Sequence, residues 1–185
     1  LGAASAGTQT ITNNNTLAIA DGSGGLASNY TLSGATINVT IIPRTLNVTL
    51  SREYDGTTAV SVASLTPTFD SLQGGETLAL SGTGSVSTAN VGSSKAVSLG
   101  SIALVAGSGN PSNYSLNSAT MNVTQRVINL DGIRAYDATT NVLSSDINTF
   151  GNIVSGETLT ISGTGSVGTN SVAMNKAITI GSLSL

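Results

Sequence analysis

Thr45-Leu46-Asn47-Val48-Thr49-Leu50-Ser51, followed at once by Arg52-Glu53-Tyr54-Asp55-Gly56-Thr57-Thr58, carries the reading of this chain. In the first half the apolar residues take every second position, which puts Leu46, Val48 and Leu50 on one face of a strand and the polar residues on the other. In the second half Asp55-Gly56 is a turn signal, because glycine enters positive φ without a steric penalty. The same logic reads Thr77 to Ser81, Ala96 to Leu104 and Tyr114 to Thr124 as strands, and Gly107-Ser108-Gly109-Asn110-Pro111 as a turn. No window of a dozen residues shows an i, i+3, i+4, i+7 stripe, so essentially no helix is expected.

The stretch recurs. Arg134-Ala135-Tyr136-Asp137-Ala138-Thr139-Thr140 repeats Arg52 to Thr58, with Tyr136 standing 82 positions after Tyr54. Downstream, Gly156-Glu157-Thr158-Leu159 and Ser162-Gly163-Thr164-Gly165-Ser166-Val167 repeat Gly75 to Leu78 and Ser81 to Val86 at an offset of 81. Upstream, Asn29-Tyr30-Thr31-Leu32 and Ala35 to Thr40 anticipate Asn113-Tyr114-Ser115-Leu116 and Ala119 to Thr124. Arg44 and Arg126 mark equivalent junctions. These matches divide the chain into residues 1–44, the C-terminal part of a first repeat; 45–126, a complete repeat; and 127–185, the N-terminal part of a third. The expectation is a piece of a longer array. A period above the solenoid range of roughly 20 to 50 residues argues for autonomous domains in series. Short strands with turns every 8 to 12 residues predict an all-β fold of tandem small β-sandwich domains, Ig-like in type, with a compact mixed-β unit of another topology as the alternative. Junctions as short as Gln125-Arg126, or Ile41-Ile42-Pro43-Arg44 with its proline, predict restricted hinge motion.

Composition excludes several function classes. Of 185 residues only 8% are charged, with no Cys and no His. Ser-His-Asp and Cys-His nucleophile arrangements are therefore impossible, and the usual zinc ligand sets are missing. Six basic against nine acidic residues, with no basic cluster, give no electrostatic footprint for nucleic acid. No apolar run approaches the roughly 20 residues that span a bilayer, so no membrane insertion is expected in this segment. Mean hydropathy of +0.23 with a net charge of -3 is not the composition of a disordered chain.

The ordered set Arg-x-Tyr-Asp-Gly-Thr-Thr, Gly-Glu-Thr-Leu, Ser-Gly-Thr-Gly, Val91-Gly92-Ser93-Ser94-Lys95-Ala96-Val97 and Asn-Tyr-Ser/Thr-Leu resembles the YDG/MBG repeats of large bacterial surface proteins. Ala138 departs from the glycine of the first motif, and Val172-Ala173-Met174-Asn175 from the Val-Gly-x-x before the lysine. Such repeats occur in filamentous-haemagglutinin-like adhesins exported by two-partner secretion. The resemblance implies an extracellular, surface or matrix location and a stalk or spacer role, with neighbouring repeats of the same chain as partners. Two other readings stand beside it: a polysaccharide- or matrix-binding module acting through multivalency, and a fibre subunit self-associating by strand addition.

Candidate chemistry is sparse, and we expect no enzyme, catalytic residue, cofactor or metal. Glu53 with Asp55, or Asp70 with Glu76, offers a glycosidase-like carboxylate pair, but Glu53 is replaced by Ala135 in the next copy. Arg52 and Tyr54, two apart on a presumed strand, are expected on one face as a structural brace. Lys95 and Lys176, the chain's lysines, recur at equivalent positions and suggest a semi-buried ion pair or an isopeptide bond. Asp21, Asp131 and Asp137 lie near junctions, yet Thr49 stands where Asp131 has its counterpart, which disfavours calcium. Asn38, Asn47, Asn113 and Asn122 open Asn-x-Ser/Thr triplets. The run Thr8-Gln9-Thr10-Ile11-Thr12 is read as a solvent-facing strand row.

Overall fold

The computed structural model describes residues 5–11, 17–32 and 36–185; Thr12 of the threonine run and Ala35 of the first repeat lie outside these. Among the described residues the chain is all-β, with single 3-10 turns at Ala27–Asn29, Val62–Ser64, Pro111–Asn113 and Ser144–Asp146 and no α-helix. Two compact units form: one from residues 1–52, 58–88 and 92–123, the other from 53–57, 89–91 and 124–185.

The first unit contains β1 (Gly7–Ile11), β2 (Ile37–Ile41), β3 (Arg44–Glu53), β4 (Ala59–Ser61), β5 (Thr68–Phe69), β6 (Leu78–Ser81), β7 (Thr83–Val86), β8 (Gly92–Ser98), β9 (Ala103–Ala106) and β10 (Tyr114–Thr124). Six of these make one sheet in the order β4-β7-β8-β10-β3-β5, while β6-β9 and β1-β2 are separate antiparallel pairs. As the alternation demands, Leu46, Val48 and Leu50 are buried and their neighbours are not. Leu46 packs with Leu78 and Tyr114, and Phe69, Leu72 and Leu104 close around them, so the β6-β9 ribbon covers the sheet at this point.

β3 and β10 are neighbours. Asn47 accepts from Ser118 Oγ at 2.8 Å, and Thr49 Oγ1 lies 3.4 Å from Thr120 Oγ1. These links advance in the same direction along both strands, as they do in a parallel pair.

The expected strand from Ala96 to Leu104 is corrected to two. Ile102 N–H donates to Leu99 O at 2.8 Å and Gly100 takes φ +54°, so the chain turns between β8 and β9 and changes sheet. β8 also carries a bulge opposite Asn122, where Ser94 adopts φ +51° and its N–H donates to Asn122 Oδ1 at 2.8 Å.

The second unit contains β11 (Asn129–Gly132), β12 (Asn141–Leu143), β13 (Ile147–Gly151), β14 (Thr164–Val167) and β15 (Ile178–Thr179), in sheets β11-β13 and β12-β14-β15. Its pairings copy those of the first. Val60 faces Gly84 as Val142 faces Gly165, Val86 faces Val97 as Val167 faces Ile178, and Val48 faces Phe69 as Leu130 faces Phe150. Gly84 and Gly165 lie where neighbouring atoms leave no room: an added Cβ would meet the Ser98 main-chain oxygen at 2.5 Å in one copy and Leu183 Cδ1 at 2.8 Å in the other. The loss of one residue from the period falls between Tyr136 and Phe150, because Phe150 is already 81 positions after Phe69.

Candidate functional site

The recurring polar residues hold backbone or one another. Asp55 Oδ1 accepts from the Thr57 N–H and hydroxyl, both at 3.0 Å, and Asp137 Oδ1 does the same for Thr139 at 2.9 and 3.0 Å. Each is an Asx turn, a local side-chain substitute for a backbone bond. The residue after each aspartate has positive φ, Gly56 at +76° and Ala138 at +64°, so the turn survives the loss of its glycine. The Thr139 N–H holds the Asp137 carboxyl below the usual carboxylate range.

β3, expected to carry both Arg52 and Tyr54, ends at Glu53, so Tyr54 lies one residue beyond it. Arg52 Nη1 donates to Ala59 O at 2.5 Å, across the turn. Tyr54 belongs to the second unit, where its hydroxyl donates to the Glu157 carboxylate. There Arg126 gathers the surrounding loops. Its Nε donates to Asn152 O and its Nη2 to Asn152 Oδ1, both at 2.6 Å, Nη1 reaches Tyr54 O at 3.3 Å, and Glu53 Oε1 lies 3.5 Å away. Asn152, with φ +65°, returns a bond from Nδ2 to Val127 O at 2.7 Å. The repeat spacing, with Arg44 and Arg126 at equivalent positions, drew attention to Arg126 as a junction marker; nothing in the sequence pattern pointed to Asn152.

A second tyrosine–glutamate pair lies within the first unit. The Tyr114 hydroxyl donates to Glu76 and accepts from Gln73 N–H at 3.2 Å. The bond to a carboxylate raises the Tyr114 pKa, and that to Glu157 raises the Tyr54 pKa, since each phenol must stay protonated to donate. Both glutamates close the same turn, with Glu76 N–H on Gln73 O and Glu157 N–H on Val154 O.

The remaining candidates are likewise committed to the framework. Asp70 accepts from Asn47 N–H at 3.0 Å and from Asn47 Nδ2 at 2.8 Å, which lowers its pKa, the main-chain bond contributing most. Asn47 Oδ1 in turn accepts from Asn117 and Ser118. Of the other triplet asparagines, Asn38 accepts from Thr10 Oγ1, Asn113 from Ala6 N–H and Asn122 from Ser94 N–H. Half-buried Lys95 donates to Thr88 Oγ1 at 2.8 Å, and Lys176 to the carbonyls of Thr169 and Ser171. Thr88 and Thr169 are equivalent, so both lysines reach the same place, in the loop after β7 and in the loop after β14. Asp21 Oδ1 accepts from Ala27 N–H at 2.7 Å, and Asp137 also pairs with Arg134 at 2.8 Å. Among the described residues no three His, Cys, Asp or Glu side chains gather as a metal site. An open hollow of about 360 Å³ is lined by Leu17, Ile19, Tyr30 and Leu32 among others.

This framework of Asx turn, glutamate turn and closing tyrosine is the setting in which the comparison with protein families falls. A YDG domain is found at residues 38–121, which take in Tyr54-Asp55-Gly56, Glu76 and Tyr114. No curated protein and no solved structure matches the chain.

Proposed function

We infer that this chain is a structural segment, a stalk or spacer of a secreted or surface-attached bacterial adhesin or extracellular fibre, made of tandem small sandwich domains of Ig-like type. The observation that carries this reading is what the copies share. Strand registers, Asx turns, lysine clamps and glutamate turns recur in both units, and all of them hold backbone except Lys95, which grips the Thr88 hydroxyl. A binding surface is under selection for exposed side chains, whereas a spacer is under selection for the frame. Low charge and many hydroxyls suit a chain whose surface is to remain inert. Small-angle scattering of the full chain tests the reading together with a glycan array. An extended profile with no glycan binding is expected; saturable binding to one glycan class, lost on substitution of an exposed loop, would overturn it.

A further inference from the structure

The sequence period and the compact units do not share a boundary. Residues 53–57 fall within the complete repeat, 45–126, yet they are part of the second unit, whose main segment is 124–185. Main chain and side chains both hold them there. Tyr54 N–H donates to Thr124 O at 2.9 Å, and Tyr54 O accepts from Arg126 Nη1 at 3.3 Å. The Tyr54 hydroxyl donates to the Glu157 carboxylate, and a Cβ on Gly56 would stand 2.8 Å from Val154 Cγ1. Arg126 also grips Asn152 by its carbonyl and its side chain, so one guanidinium ties the turn to the loop 152–157 that receives it.

Each residue of the motif has its own task in this seat. Asp55 closes the turn on Thr57 and holds Gly56 at φ +76°. Gly56 lets the turn approach Val154 more closely than a side chain would allow. Tyr54 makes the charge-assisted bond to the glutamate of the Gly-Glu-Thr-Leu motif. In the first unit the equivalent glutamate, Glu76, takes Tyr114, a tyrosine of its own repeat. The equivalent loop there has Ser71 and Gln73 in place of Asn152 and Val154, so the glutamate recurs while the residues that fit the turn are particular to the later copy.

We propose that Tyr54-Asp55-Gly56 is a docking element by which one repeat completes the fold of the next. The 82-residue period is then not the folding unit, because the unit built from 124–185 takes its Tyr-Asp-Gly turn from the repeat before it. The partner the turn fits is a following copy that offers a glutamate, a β-branched side chain and an amide held by arginine. Substitutions in the earlier repeat therefore loosen the later one. The docking holds whether or not the chain serves as a spacer.

Hydrogen exchange of the full chain, followed by mass spectrometry, tests it with Tyr54→Phe, Glu157→Ala and the double variant. Each single substitution is expected to speed exchange several-fold in 152–157 and in β12 and β14, while β6 and β9 keep the wild-type rate. The double variant is expected to go no further than the more affected single one, because both substitutions remove the same bond. Tyr114→Phe, which removes the equivalent bond inside the first unit, is expected to speed exchange in 73–76 and to leave β12 and β14 unchanged. The proposal is overturned by a Tyr54→Phe chain in which β12 and β14 exchange at the wild-type rate, or in which β6 and β9 speed up equally. Fully additive effects of Tyr54→Phe and Glu157→Ala overturn it as well, as does a Tyr114→Phe chain that loosens β12 and β14 as much as Tyr54→Phe does.

Discussion

Gly56 and Ala138 occupy the same place in two copies of one turn, and their surroundings separate them. At Gly56 an added Cβ would come within 2.8 Å of Val154 Cγ1, in addition to the strain of φ +76°. Gly56→Ala is therefore expected to cost at least the roughly 1 to 2 kcal/mol of a left-handed alanine. Ala138→Gly relieves that strain and loses about 0.4 to 1 kcal/mol to the freer unfolded chain, for a small net gain. Urea unfolding of each variant decides both, and a stabilised Gly56→Ala would refute the packing argument. Acid sensitivity belongs to single residues as well. Asp70 titrates lower in the folded chain than in the unfolded one, so its stabilisation is complete above the ordinary aspartate value of about 3.9 and is lost as pH falls through the folded value. Asp70→Asn should flatten the acid limb of the stability profile; an unchanged limb would show that the bond to Asn47 has no such role. Tyr114 is displaced upward, so its contribution is complete below about pH 10 and fades as pH rises through its folded value.

At the level of strands, alternation was a sufficient guide where one face is buried. Leu46, Val48 and Leu50 point into the core as read, and β10 spans Tyr114–Thr124 with the ends expected from its sequence. The reading of one strand failed at Leu99 to Ile102, where the apolar spacing slips from two to three and Gly100-Ser101 signals the turn that the backbone makes. The bulge at Ser94 was also hidden, since a serine at positive φ has no sequence mark and its support comes from Asn122 on another strand. Likewise the tyrosine and glutamate motifs were visible as words, but their pairing across 38 positions within one unit depends on the fold. The bulge supplies a test at this scale. Asn122→Ala removes the acceptor of the Ser94 N–H and should destabilise by about 1 kcal/mol, with Asn122→Asp retaining most of the stability. Equal losses for both substitutions would remove the acceptor from the explanation.

Across the whole molecule, burial is uneven. Among the described residues of the second unit the buried apolar side chains are Val142, Ile147 and Leu183, whereas the first has a continuous set from Leu46 to Val123. Local opening follows such differences. Amides of β12 and β14 should exchange with solvent faster than those of β3 and β10 when hydrogen exchange is followed by mass spectrometry, and uniform protection would contradict this. The strand order of the complete repeat has one more consequence. β3 opens the repeat and β10 closes it, and the two run side by side in the same direction. Tension applied through the chain ends would drag them past each other lengthwise, loading the whole ladder at once in shear instead of peeling bonds away singly. A repeat threaded in this way resists pulling far better than its modest core would suggest, and single-molecule stretching should show high rupture forces that fall when Asn47, which ties both strands and Asp70 together, is replaced by alanine.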